Sequence, residues 1–235
     1  MKKNAPPITC VTCPHLTTSS FCSLHTAEVQ RLDQYKSVLQ LKRHKTLFYE
    51  NDQVKGLHCV RQGRIKLFKT LNDGSVQILK IAKESELIGY RGLLGNGKYI
   101  ASAEVIEDAV VCFIPKERIF ELIHQNLSFS LGLMSKIAGD ISEAELRSVN
   151  FLQKSSRERL AEALLLLEKS FGTSPDGFID LMLTREEIAG YTGMAVETTI
   201  RLLYAMVEEG LVELYKKRIK ILDRNKLLDI SKAED

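Results

Sequence analysis

Two groups of side chains in this chain have types and spacings that do chemistry. The first is sulfur. Cys10 and Cys13 form a Cys-x-x-Cys pair, and Cys22 follows in the same short polar segment, CVTCPHLTTSSFC. That segment has few apolar residues with which to bury a thiol, so its cysteines read as metal ligands or redox groups rather than packing. Cys22-x-x-His25 adds an imidazole at zinc-site spacing. Cys10, Cys13, Cys22 and His25 therefore make a Cys3His set, with His15 in reserve. Cys59 and Cys112 differ, because both lie in apolar strand patterns (LHCV and AVVCFI) where a thiol often fills space. His44, His58 and His124 are scattered and read as surface or packing residues.

The second group is a carboxylate and a guanidinium. Glu197 and Arg201 are four residues apart, so on a helix they project together. An Arg can donate twice to the O6 and N7 of guanine, and a Glu can accept from the N4 of cytosine. Taken alone, such a pair is a surface ion pair worth under ~1 kcal/mol. Its setting points further. Thr184 is a natural N-cap with Glu187 three residues on, as a capping box requires. Thr192-Gly193 supplies a sharp turn, and a second helix runs from about Ala195 to Glu209, with Leu202, Leu203, Met206 and Val207 on its apolar face. Lys216, Lys217, Arg218 and Lys220 then follow beside Tyr215. Two helices, a glycine turn and a basic hairpin make a winged helix-turn-helix. Its second helix enters the major groove of double-stranded DNA, while the wing cations and Thr198 or Thr199 hold phosphates.

The elements that position these groups fall into zones. A short helix is expected over about Ala27 to Val38. From Thr46 to Pro115 short β runs follow (TLFYE, LHCVRQ, RIKLFKTL, VQILKIA, YIASAEVI, AVVCFIP), separated by Gly56, Gly63, Asn72-Asp73-Gly74 and Asn96-Gly97. Regular glycine turns between short strands predict an antiparallel roll or barrel. Beyond Lys116 the pattern is helical. A short helix carries Ile119, Phe120 and Ile123, and a long one from about Leu127 to Leu152 carries Leu131, Met134, Ile137, Ile141 and Ala144 in a narrow stripe suited to a two-stranded seam. Ser155 to Ser170 is a further amphipathic helix, and FIDLML reads as a strand leading into the helix-turn-helix.

The 235 residues suit two small domains, and a net charge of +3 does not by itself mark a nucleic-acid binder. MKKNAPPITC has no long apolar run, and no segment reaches the roughly 20 apolar residues of a membrane span, so a cytoplasmic protein without membrane contact is expected. Enzymatic chemistry is not expected. A thioredoxin-like dithiol opens a helix after a strand, whereas this Cys-x-x-Cys lies in a polar leader before Pro14, and there is no glycine-rich phosphate loop.

A β-roll, a long helix and a C-terminal winged helix-turn-helix together resemble the Crp/Fnr family of bacterial transcription regulators. VETTIR (Val196 to Arg201), LTREEIAGYTG, SSRERLAEALLLL and GYRGLLGNGKYIASAEVIEDAVVCFIP carry the resemblance. It implies an α+β fold: a cysteine-rich leader (1–26), a cyclic-nucleotide-binding-like roll (27–125), a dimerisation helix (126–153) and a DNA-binding domain (154–235). It implies a homodimer reading TTGA-like palindromic half-sites through Glu197 and Arg201, with RNA polymerase as a further partner. Val196 is similar to the Fnr branch, where the cyclic-AMP receptors carry Arg. Ile200 departs from that branch, which has a hydroxyl residue there, and could touch a thymine methyl. The family's cyclic-AMP site uses an acid and an Arg-Ser pair. Those positions fall on Tyr90 and on Tyr99-Ile100, so cyclic AMP is not expected to bind. The resemblance to Fnr-like oxygen sensors implies instead an oxygen- or nitric-oxide-labile 4Fe-4S cluster on Cys10, Cys13, Cys22 and the distant Cys112. The eight-residue gap between Cys13 and Cys22 is longer than in the best-known members, which a flexible loop absorbs at little cost. Zinc on the Cys3His set remains the rival.

Overall fold

The computed structural model describes residues 9–232. After a 3-10 turn (Leu16–Thr18) come α1 (Thr26–Tyr35), β1 (Ser37–Leu41), β2 (Thr46–Phe48), β3 (Gly56–Thr70), β4 (Val76–Ala82), β5 (Leu87–Ile88), α2 (Tyr90–Leu94) and β6 (Ser102–Pro115). The chain continues through α3 (Lys116–Gln125), α4 (Leu127–Gln153), α5 (Ser156–Phe171), α6 (Arg185–Thr192), α7 (Val196–Glu208), β7 (Val212–Tyr215), β8 (Arg218–Ile221) and α8 (Arg224–Ser231). It divides into two compact units. One ends its first segment at Leu67 and takes up Ile81–Ile141; the other holds Phe68–Lys80 and everything from Ser142.

Strands β1 to β6 form one sheet in the order β1-β6-β3-β4, with β2 on β6 and β5 on β3. Val38 of β1 pairs antiparallel with Cys112 of β6. The core is apolar and continuous: Leu57, Val60, Ile65, Val105, Val111 and Ile114 point into it, and α3 and α4 close it with Ile119, Phe129 and Leu133. The leader joins this core through Phe21, whose ring stacks on Phe129 at 5.6 Å. Asn126 holds the start of α4: its side chain accepts from the Phe129 amide at 2.8 Å and donates to Glu28 of α1 at 2.9 Å.

The sequence pattern differs from the structure in four places. LHCVRQ and RIKLFKTL are one strand, not two. Gly63 at φ +87° lies so close to β6 that a Cβ there would fall 2.3 Å from the Asp108 carbonyl oxygen, so the strand runs through the glycine instead of turning. The two runs ending at Ile106 and Pro115 are likewise one strand, β6, which leaves Tyr99 and Ile100 outside it. The helix expected to reach Val38 stops at Tyr35, because Lys36 turns extended, and β1 then begins. FIDLML is not a strand. Phe178, Ile179, Leu181 and Leu183 are buried as extended chain, tied by a Thr173–Ile179 bridge and a bond from the Ile179 amide to the Ile219 oxygen at 2.8 Å.

The second unit packs α5, α6, α7 and α8 around Leu160, Leu164, Ile188, Leu203, Met206 and Leu227. The hairpin residues 68–80 belong to it. Gln77 donates to the Gly190 oxygen at 2.9 Å, and Arg147 donates to the Leu79 oxygen at 2.7 Å. Among the described residues no helix is long and apolar enough to cross a membrane.

Candidate nucleic-acid interface and thiol site

α6 begins as the sequence spacing predicts. The Glu187 amide donates to the Thr184 hydroxyl at 3.1 Å, and the Thr184 amide donates to the Glu187 carboxylate at 2.8 Å. It ends at Gly193, in the left-handed region at φ +67°. α7 starts three residues later. Thr199, Leu203 and Met206 form its buried side, while Glu197, Arg201, Tyr204 and Glu208 form an exposed row. Glu197 and Arg201 stand one turn apart, and neither side chain makes a hydrogen bond or ion pair among the described residues. The surface ion-pair interpretation therefore has no support. Val196, Thr198 and Ile200 are half-buried beside this row. Tyr204 shares the face; its i+3 spacing from Arg201 was the signal for it in the sequence.

One expected phosphate contact is corrected, and a second expected side chain has partners within the chain. Thr199 is fully buried, and its hydroxyl donates to the Ala195 oxygen at 3.0 Å, so it packs and caps locally. Arg218 is already engaged. It donates to both carboxylate oxygens of Asp176 at 2.7 and 2.6 Å and to the Ser174 hydroxyl at 2.8 Å, and lies over the Phe178 ring. The Arg218 hydrogen bonds hold the Asp176 carboxyl well below the usual carboxylate range. Arg218 thus fastens the wing to the loop before α6, and its partner was invisible in sequence because the two lie far apart along the chain. Lys216 and Lys217 remain exposed at the wing turn, with Lys216 at φ +55° and its ammonium over the Tyr215 ring.

In the first unit the place expected for a nucleotide-binding acid holds Tyr90, whose ring is buried and whose hydroxyl bonds to Asp140 of α4. Tyr99 is buried against Phe48, ring centroids 3.6 Å apart, and Ile100 is exposed. Arg91 is exposed.

The leader folds as consecutive turns. The Cys13 amide donates to the Cys10 oxygen at 3.1 Å, and the Cys22 amide donates to the Ser19 oxygen at 3.1 Å. The Cys10 amide is anchored to Asp33 of α1 at 2.8 Å, and Asp33 also pairs with Lys36. Cys10 and Cys13 are half-buried, Cys112 is buried, and Cys22 is exposed. Phe21 takes the inward position, so its neighbour Cys22 turns out. His25 is exposed at the N-cap of α1, its amide donating to Glu28 at 2.8 Å.

Burial pushes the Cys59 thiol up to about 12, and the nearby Cys112, Cys13 and Cys10 add to the rise. Burial also raises Cys10, to about 11, against the pull of Lys36. Cys112 is raised by burial too, while Lys36 and Arg61 draw it down and Cys13 adds to it. These thiols lie within electrostatic reach of one another, yet among the described residues no group of three or more His, Cys, Asp or Glu is placed to hold a metal ion. Two features nonetheless suit an anionic, thiolate-bound group. The donors are all sulfur, and Arg61 has a buried guanidinium nitrogen without a hydrogen-bond partner. In kind, therefore, the residues fit an iron–sulfur cluster.

A sheet domain closed by helices and a winged helix-turn-helix with an unpaired Glu–Arg row have the design of a DNA-binding regulator. Residues 38–126 match the cyclic nucleotide-binding domain and residues 158–230 the Crp-like helix-turn-helix domain. The chain is 28% identical over 226 residues to the fumarate and nitrate reduction regulatory protein of Escherichia coli K12, covering 93% of this chain and 90% of that one. It is 29% identical over 216 residues to the protein of the same name from Salmonella typhimurium LT2, covering 89% and 86%. The solved structure of FixK2 from Bradyrhizobium japonicum superposes with a TM-score of 0.76 at 21% identity, over 85% of this chain and 99% of that one. The chain belongs to the Crp/Fnr family and is a DNA-binding transcription regulator; its relatives are regulators, not enzymes.

Proposed function

We propose that this regulator acts in the cytoplasm as a homodimer on palindromic, TTGA-like sites and is controlled by an iron–sulfur group held by the leader and the roll. The observation that carries the DNA part is the exposed, unpaired Glu197–Arg201 row on α7, presented by a capped α6 and a glycine turn. Each subunit lays α7 in one major groove, with the half-sites about one helical turn apart. Arg201 reads guanine and Glu197 the paired cytosine, Ile200 and Val196 touch the groove wall, and Thr198, Lys216 and Lys217 hold phosphates. RNA polymerase is the natural second partner of such a regulator.

For the sensor part, Cys10, Cys13 and Cys112, with Cys22 as the family pattern has it, would hold the group. A 4Fe-4S cluster supplies lability toward oxygen or nitric oxide. The rest is work for the chain's own residues. The leader is tied to α4 by the Phe21–Phe129 stack, and α1, which follows the leader directly, is tied to the start of α4 by the Glu28–Asn126 bond. A leader released from its thiol anchors would strain both contacts and loosen the start of the dimerisation helix. Zinc on Cys10, Cys13, Cys22 and His25 has no specific observation in its favour, since Cys22 and His25 are both exposed.

Footprinting of the anaerobically purified protein on its own promoter tests this reading. A protected palindrome is expected, lost after exposure to air. Arg201→Ala should cost about 1–3 kcal/mol of binding and relax base preference at one position per half-site. Equal selectivity in that variant overturns the recognition-helix assignment.

A further inference from the structure

We propose that Cys59, not Cys22, is the fourth thiolate of the metal centre, joining Cys10, Cys13 and Cys112. The proposal rests on the iron–sulfur reading above and names the residues that carry it.

The sheet register carries the argument. β3 lies beside β6. A Cβ on Gly56 would meet the Ile114 oxygen at 2.1 Å, and one on Gly63 would meet the Asp108 oxygen at 2.3 Å. The strands therefore run antiparallel, with Cys59 opposite the Val111–Cys112 step. Side chains alternate along a strand, so Cys59 and Arg61 share one face while Val60 points to the other, where it is fully buried in the core. Cys59 is half-buried, at the margin of that core.

The charges that bear on these groups give the same grouping from the other side. Cys59 feels Cys112, Cys13 and Cys10, and Cys112 feels Cys13, Lys36 and Arg61. Cys22 is exposed, whereas Cys59 is half-buried and Cys112 buried. Phe21 keeps Cys22 outside, because turning it inward would pull that ring off Phe129. The orphaned Arg61 nitrogen stands two residues from Cys59 on the same strand face, where a negatively charged cluster would give it a partner. Two thiols on adjacent strands of a sheet are also fixed in a way that two thiols on a leader are not. Cys59 and Cys112 form the rigid half of the site, and the Cys10–Cys13 turn, anchored through Asp33, forms the half that closes.

The test uses the full chain, loaded anaerobically with ferrous iron and sulfide, in four forms: unsubstituted, Cys59→Ser, Cys59→Ala and Cys22→Ser. Iron, acid-labile sulfide and visible absorption are read, with circular dichroism of each metal-free form to confirm folding. Cys22→Ser should hold iron and sulfide as the unsubstituted protein does. Both Cys59 variants should bind iron at least about tenfold more weakly. Alkylation of the loaded, unsubstituted protein should label Cys22 as fast as in the stripped protein. Retention in the Cys59 variants with loss in Cys22→Ser, or loss in all variants, or a Cys22 shielded by loading, overturns the proposal and leaves the iron–sulfur reading intact. An unsubstituted protein that takes up no iron and sulfide overturns both.

Discussion

Among the described residues nothing occupies the side chains of Arg201 and Glu197. A salt bridge between them would compete with base edges, and its absence leaves the guanidinium fork and the carboxylate free for partners outside the chain. Arg218 shows the converse: its cationic head is engaged by Asp176 and Ser174, so it shapes the wing, while Lys216 and Lys217 stay exposed at the wing turn. His58 gives a different residue-scale prediction. It is buried among Phe48, Tyr99 and Phe113, and burial brings it down to about 4 from the ordinary 6.5. A depressed histidine favours the neutral form in the folded state. Its contribution is therefore complete above about pH 6.5 and is lost as the pH falls toward 4. Between pH 7 and pH 5 the protein should lose about 2 kcal/mol more stability than His58→Phe, read by urea unfolding at both pH values. Equal losses would mean that His58 is solvated.

At the scale of the element, the helix-turn-helix depends on its turn. Gly193 has φ +67°, and a Cβ there would meet the Phe151 ring at 2.6 Å and Gln77 at 3.1 Å. Gly193→Ala should cost about 1–2 kcal/mol from the left-handed backbone alone, and more if the Phe151 ring cannot move. Thermal unfolding would show it, and an unchanged midpoint would mean that the turn relaxes freely. The neighbouring cap is local chemistry: Thr184 and Glu187 find each other because three residues separate them, which is why α6 was readable from sequence. The strands were less readable. Glycine at position 63 looks like a turn and is instead a close approach to β6, and FIDLML has the composition of a strand but no neighbouring edge to pair with along its length. Neither fact is local.

For the whole molecule, α4 separates two duties. Phe129 and Leu133 are buried in the roll and Ile137 packs against it, while Leu131 (55% exposed), Met134 (62%) and Ile141 (48%) form an outward apolar row. The stripe seen in the sequence thus splits, with Ile137 on the inner side. An outward row of that kind is the natural seam for a second copy of the chain. Met134→Glu should give a monomer by sedimentation and weaken promoter binding sharply, because two half-sites would no longer be gripped together. A variant still dimeric would place the seam elsewhere. Sequence alone determined what depends on short spacing: the capped α6, the glycine turn, the Glu–Arg row, the long helix and the cysteine-rich leader. Each is set by residues within a few positions of one another, where helix period and capping geometry leave little choice. Only the tertiary structure decided which cysteines are neighbours, which wing cation is already paired and which side of α4 is buried. Those follow from β3 lying beside β6, from Asp176 meeting Arg218 and from Phe21 reaching Phe129, contacts between distant positions that local pattern does not encode.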